Sequence, residues 1–344
     1  MDSLSQAVLG GAVALACSGG KSTRKAIIYG AVIATLPDLD ILQRFASDLE
    51  STIRHRTWSH SWLVDVGIAP LLAWLISRVE HCFSFLRWWL IVLTCLTTHS
   101  GLDGFTVYGT GLFWPLAKQN VMGGSVFIID PLFTLPLLIA LVIAWKNYNS
   151  SRAFRVTIGA LVISSFYLIW GQVAQSYVEG LGKTAMQQQS KSWINLIATP
   201  TPFNSILWRV ISVNKDYYYE GFYHLFQPHR PLVMVEFPRN PHLKQKIANS
   251  AEFREFEKFN HQFYALDAHQ NQVITSDLRM GIEPFYFFRF TLSGVGSGKR
   301  FFDTAEGDPV IGARHFFSWL GRRLLGRTHQ SLIQSTTQAP ESAY

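Results

Sequence analysis

The feature that most constrains this chain is the clustering of its apolar residues into long runs confined to the first half. Up to Ala174 there are 12 Lys/Arg and 9 Asp/Glu, and the stretches between them are almost free of charge. From Gln175 onward the counts rise to 18 and 14. A helix needs roughly 20 apolar residues to cross a bilayer. Six segments approach that pattern: Leu4 to Ser18, Ala26 to Leu36, Trp62 to Ile76, Phe85 to Thr98, Phe127 to Trp145 and Phe154 to Val173. The first two are short and rich in Gly and Ala, which suits tightly packed or half-inserted helices. The expected fold is a polytopic α-helical membrane domain of about six helices, followed by a soluble α+β domain.

Composition closes off other classes. The chain is 48% hydrophobic and only 15% charged, against about 25% charged in a soluble domain. A disordered or collagen-like chain is excluded. Cys17, Cys82 and Cys95 all lie in the apolar half without metal-type spacing, so a disulfide scaffold is excluded too. The net charge of +7 is divided between the halves and gives no reason to expect a nucleic-acid partner. The start lacks a basic region ahead of its apolar stretch, so no secretory signal peptide is expected.

Alternate connections differ in charge. Lys21, Arg24, Lys25, Arg78, Arg87, Lys146, Arg152 and Arg155 fall on one side, while Arg44, Arg54, Arg56 and Lys118 fall on the other among acidic residues. Short basic loops remain cytoplasmic. The opposite loops and the C-terminal domain are therefore expected outside the cytoplasm.

The polar residues of the apolar half gather on that outer side. Asp2 and Gln6 open the first segment, and Asp38 and Asp40 close the second. His55 and His60 precede the third, His99 and Asp103 close the fourth, and Asp130 opens the fifth. Ionisable groups at membrane depth are costly unless paired or coordinating. His99 and Asp103 are spaced i, i+4 and share one helix face. Beyond Pro37, an extended backbone would aim Asp38 or Asp40 at the same point. Imidazole and carboxylate are usual ligands of Zn²⁺ in hydrolytic sites. Each residue also has a plainer role open to it: Asp2 and Asp130 as helix caps, His55 and His60 as headgroup-level side chains. Convergence of four chain segments favours a metal site.

These motifs resemble the YdjM-like family of inner-membrane proteins, known as membrane-bound metal-dependent hydrolases. The matching pieces are Met1-Asp2-Ser3-Leu4, Pro37-Asp38-Leu39-Asp40, His55-Arg56, Ser59-His60-Ser61, and His99 with Asp103. Thr106, Gly109, Leu112-Phe113-Trp114-Pro115 and Ile129-Asp130-Pro131-Leu132 also match, so the resemblance covers roughly residues 1–145. The family is similar to zinc-dependent phospholipase C and the zinc-dependent single-strand nucleases. The resemblance implies an inner-membrane location. It also implies a zinc or manganese site with Asp38, His55, His60, His99 and Asp103 as ligands, and Asp40 beside them. Two departures stand out. Many relatives have His at the position of Gln6, which leaves Gln6 to hydrogen-bond a ligand from behind, as Asp130 would. Relatives usually have Gly where Thr57 follows Arg56.

The expected activity is metal-dependent hydrolysis of a phosphoester or lipid-linked substrate at the membrane interface. Asp40 or Asp2 would act as general base, and Arg56 would hold an anionic headgroup. Membrane lipid is the expected partner, and the sequence leaves protein partners open. The alternative is a non-enzymatic membrane protein with a structural metal and a partner-binding C-terminal domain. A transporter fits less well, because no internal repeat is evident.

The expected boundaries are a membrane domain over 1–174, a helix and linker over 175–204 (the linker being Asn195 to Asn204 with its Thr199-Pro200-Thr201-Pro202), a soluble domain over 205–326 and a disordered tail over 327–344. Strands are expected over Ile206 to Val213, Tyr217 to Phe226, Pro231 to Phe237, Gln262 to Leu266, Gln272 to Ser276 and Phe285 to Leu292, with a helix over Leu243 to Phe259. The soluble part has no P-loop, GxSxG or zinc-finger spacing. Phe316, Trp319, Leu320 and Leu324 form a stripe on a basic helix over Ile311 to Leu325. That stripe would either lie in the membrane interface as a lid or pack onto the soluble domain.

Overall fold

A computed structural model describes residues 1–19, 24–117, 119–148, 150–292, 297–301, 313–328 and 331–332, with the side chains of Ala313 and Arg314 excepted. Most of the expected tail, and Lys21 and Lys118 among the loop cations, lie outside the described residues. The chain divides into two units. One comprises residues 1–44, 54–174 and 202–204; the other comprises 45–53, 175–201 and 205 onward.

The first unit is helical: α1 Ser3–Cys17, α2 Arg24–Thr35, and, after the short α3 Asp48–Arg54, which falls almost wholly in the other unit, α4 Trp62–Val79, α5 Phe85–Gly104, α6 Pro131–Lys146 and the first part of α7 Ser151–Gln188. Helix α1 is the centre, packed by α2, α5 and α6 and buried from Ser5 to Leu15 on almost every face. Its partner crosses it at two glycines. A Cβ on Gly30 would lie 2.3 Å from the Gly10 carbonyl oxygen and 2.4 Å from the Ala14 Cβ. Only glycine permits that approach, and it explains why these two segments are Gly/Ala-rich. Trp88 fills the base of α5, fully buried against Tyr29 and Phe83.

The outward faces are apolar as well. Leu63, Val66, Leu71 and Leu75 of α4, Ile139 and Val142 of α6, and Ile163, Phe166 and Ile169 of α7 are all exposed. Among the described residues two helices, α4 and α7, are by length and composition long and apolar enough to cross a membrane; α1 and α6 are apolar but shorter. Helix α7 continues through the expected break near Gln175, where the sequence Val173-Ala174-Gln175 holds neither Gly nor Pro to stop it.

The second unit carries antiparallel sheets. Strands β1 Asn195–Pro200, β2 Leu207–Val213, β3 Tyr217–His224 and β4 Val235–Pro238 form a meander in that order. After α8 Lys244–Ile247 and α9 Ala251–Phe259, β5 Tyr264–His269 and β6 Gln272–Asp277 make a hairpin. Its turn residues Gln270 and Asn271 have φ of 45° and 65°, the left-handed pair of a type I′ connection. Strand β9 Arg289–Thr291 adds to β6, while β7 Gly281–Ile282 and β8 Phe285–Tyr286 form a separate ribbon. Inside the meander, Arg209 and Glu220 form an ion pair at 2.6 Å with both side chains 2% exposed.

Three expectations change here. Asn195 to Asn204 is mostly strand β1 rather than linker, because Gln175 and Glu179 of α7 hydrogen-bond the Ala198 carbonyl and amide and hold it in place. The helix expected over Leu243 to Phe259 is interrupted, and Ser250 restarts it by accepting a bond from the Phe253 amide. The stripe of α10 Ala313–Leu324 faces inward. Trp319 and Leu320 are buried with Leu207, Phe222, Ile282 and Leu332, so the hydrophobic face is used in packing, which favours that reading over the interfacial lid.

Candidate metal centre

Four side chains of the helical unit bring one ligand-type atom each to a common point. Pro37 ends α2 and starts a 3-10 turn, Pro37–Leu42, that carries Asp38 and Asp40. This turn replaces the extended backbone expected after the proline. A second 3-10 turn, Trp58–His60, delivers His60, and the last two turns of α5 deliver His99 and Asp103. The loop after α5 clamps the segment bearing His60. Gly111 N–H donates to the Arg56 carbonyl at 2.8 Å, Trp62 N–H to the Leu112 carbonyl at 3.0 Å, and Ser61 Oγ to the Trp114 carbonyl at 2.5 Å.

The geometry is compatible with a coordination shell. The Nε2 atoms of His60 and His99 are 3.1 Å apart. His60 Nε2 is 3.4 Å from Asp38 Oδ1 and 3.3 Å from Asp103 Oδ2. His99 Nε2 is 3.6 Å and 3.8 Å from the same two oxygens. Ligands about 2.0–2.1 Å from a tetrahedral Zn²⁺ are separated by about 3.3–3.4 Å. The five distances scatter around that edge length. The side chains of His60, His99 and Asp103 are fully buried, whereas that of Asp38 is 23% exposed and opens the group to its surroundings. Two imidazole nitrogens and two carboxylate oxygens converging on one point are a donor set that fits a divalent ion.

The remaining expected residues take other positions. His55 is not in the group of four: its Nδ1 lies 2.7 Å from Asp40 Oδ1. Asp40 also accepts from the Arg56 amide at 3.0 Å and from Ser59 Oγ at 2.7 Å. Burial opposes the charge on Asp40, but these bonds from His55, Ser59 and Arg56 outweigh it and hold the carboxyl below its usual range. With both oxygens committed, Asp40 is poorly placed as the expected general base. Arg56 points inward. Its Nε is 3.1 Å from Asp103 Oδ2, its Nη1 donates to Thr106 Oγ1 at 3.2 Å, and it packs over Tyr108. It compensates Asp103 rather than reaching out to a headgroup.

Asp2 caps α1, accepting from the Leu4 and Ser5 amides at 3.1 Å, and Asp130 caps α6 while accepting from Tyr167 at 2.8 Å. Neither carboxylate belongs to the group of four. Gln6 does sit behind the group: its Nε2 donates to Asp103 Oδ1 at 3.0 Å, and the Met1 amine contacts that same oxygen. Sequence reasoning missed Asp65, an acid buried in the first turn of α4 and 3.3 Å from Ser100 Oγ. The available signal was an unpaired carboxylate within an apolar segment.

A sequence profile described as YdjM inner membrane protein matches residues 1–178. The inner membrane protein YbcI of Escherichia coli (strain K12) is 35% identical over 89 residues, which is 26% of this chain and 51% of that relative. The match thus spans about half the relative's length. No solved structure matches the chain.

Proposed function

The chain belongs to the YdjM inner membrane protein family, and from that premise we propose that it is a membrane-embedded, metal-dependent hydrolase. Its substrate is a phosphoester or lipid-linked molecule reached at the membrane interface. The observation that carries this proposal is the four-donor group Asp38, His60, His99 and Asp103. Structural zinc sites are usually rich in cysteine thiolate, whereas hydrolytic sites favour imidazole and carboxylate. A bound divalent ion such as Zn²⁺ supplies Lewis acidity and acidifies water, and Mn²⁺ is the runner-up.

The chain's own residues divide the remaining work. Arg56 compensates the charge of Asp103 from inside, which leaves Asp38 as the donor nearest an incoming substrate. Leu39, Ile41, Leu42, Trp58, Phe113 and Trp114 are exposed and adjoin the site segments in sequence. An apolar rim of this kind suits an amphiphile whose polar head meets the donors while its chain remains in lipid.

The membrane arrangement is part of the proposal. The six apolar helices of the helical unit are embedded, with α1 and α2 too short to span alone. The donors face away from the cytoplasm and the basic end faces it. At that basic end Arg24 stacks on Trp145 and Tyr148, as interfacial Arg and aromatic residues do.

A second reading has an observation of its own. Four protein donors are enough to close a tetrahedral shell, as in a structural site. An assay separates the two. Full-length protein loaded with zinc in mixed micelles should cleave at least one member of a panel of phospholipids and soluble phosphodiesters, and His60→Ala should not. Metal-loaded wild type that is inert across the panel favours the structural reading.

A further inference from the structure

Ser59 is a neighbour of the four donors that carries no role so far. Its Oγ lies 2.7 Å from Asp40 Oδ2 and 2.9 Å from His60 Nδ1. The hydroxyl has one proton to give. Asp40 already accepts from the His55 ring at 2.7 Å and the Arg56 amide at 3.0 Å, an environment that suits a carboxylate and not a donor. The Ser59 proton therefore goes to Asp40. The lone pair of Oγ then faces His60 Nδ1, and only an N–H can meet it there. In the neutral ring this leaves Nε2 bare, and Nε2 is the atom aimed at His99, Asp38 and Asp103.

We propose that Ser59, anchored by Asp40, is a positioning residue that fixes His60 in the metal-binding tautomer and orientation. The proposal rests on the metal-centre reading above. It also sets the two histidines apart. Nδ1 of His99 is buried and has no hydrogen-bond partner among the described residues, so nothing comparable selects its tautomer. His60 is preorganised to ligate and His99 is recruited by the ion. Partners of this kind, behind a ligand, commonly change metal affinity by 10- to 100-fold.

The test is a zinc and cobalt(II) affinity measurement by chelator competition on full-length protein in detergent, with the cobalt absorption spectrum recorded alongside. Ser59→Ala should weaken binding by roughly 10- to 100-fold and shift the cobalt spectrum, and Asp40→Asn should do likewise. Ser59→Thr, which keeps the hydroxyl, should restore both. Thermal unfolding without metal identifies which variants are folded, and the folded ones are compared. Wild-type affinity in folded Ser59→Ala or Asp40→Asn overturns the proposal while leaving the metal centre intact. A loss that Ser59→Thr fails to restore also overturns it, since the hydroxyl would then not be the cause. A wild-type protein that binds neither ion overturns the metal-centre reading and this proposal with it.

Discussion

His60 Nε2 and His99 Nε2 face each other at 3.1 Å with two carboxylate oxygens beside them, although the histidines come from segments 39 residues apart. Two neutral imidazoles facing through the same nitrogen can share at most one hydrogen bond, which gives no reason for two carboxylate oxygens to crowd the same point. A shared cation supplies the reason. Replacing His99 with Ala should cut zinc affinity at least 100-fold while leaving His60 and Asp38 able to hold the ion weakly, measured by chelator competition. Unchanged affinity would remove His99 from the ligand set.

Arg56 and Asp103 make a second prediction. Their ion pair at 3.1 Å is almost fully buried, and removing one partner of such a pair costs about 3–5 kcal/mol. Arg56→Ala should lower thermal stability in detergent by that order when metal is absent. The loss should shrink with zinc bound, because the ion then compensates Asp103. A substrate-binding role for Arg56 would instead predict native stability and a raised KM.

The α1–α2 crossing makes a third. Gly30→Ala puts a methyl group 2.3 Å from the Gly10 carbonyl oxygen, and the two helices must separate. Gly67→Ala in α4 meets nothing within 4 Å and should be tolerated. Retained native stability in Gly30→Ala would mean the helices are not in contact there.

The helical half was legible because apolar runs and stranded charges are strong local signals. The i, i+4 pair His99 and Asp103 could be placed on one face from spacing alone. What spacing could not show was which neighbours of the ligands were already occupied. Asp2 and Asp130 take the capping roles the sequence left open to them, whereas Asp40 is spent on His55, Ser59 and Arg56 through turns that have no sequence period. His55 and His60 looked equivalent in one motif, but the 3-10 turn Trp58–His60 sends only His60 to the common point. In the second unit, the Thr-Pro-Thr-Pro stretch after Ala198 suggested a linker, and pairing of Asn195–Pro200 with β2 overrode that local preference.

Trp319 supplies a fourth prediction. It is fully buried against Phe222, with ring centroids 5.1 Å apart at 74°. Trp319→Ala should destabilise the second unit by about 3–5 kcal/mol, read by urea unfolding of the full chain in detergent. A variant of native stability that binds anionic vesicles less tightly would revive the interfacial helix.

Topology gives a fifth. Cys82 is exposed between α4 and α5 on the basic end and should react with an impermeant thiol reagent only after the cells are permeabilised. A cysteine placed at Gln119, in a background without the native cysteines, should react from outside in intact cells. The reverse pattern would invert the orientation and put the donors on the cytoplasmic side.

The central claim is that Asp38, His60, His99 and Asp103 hold one divalent metal ion. Its most direct test is the metal content of the purified full-length protein, measured by elemental mass spectrometry after brief chelator treatment and zinc reloading. The account predicts about one zinc per chain in the wild type and close to none in a folded His60→Ala/Asp103→Ala double variant. Equal zinc content in the two proteins, or none in a folded wild type, would contradict it.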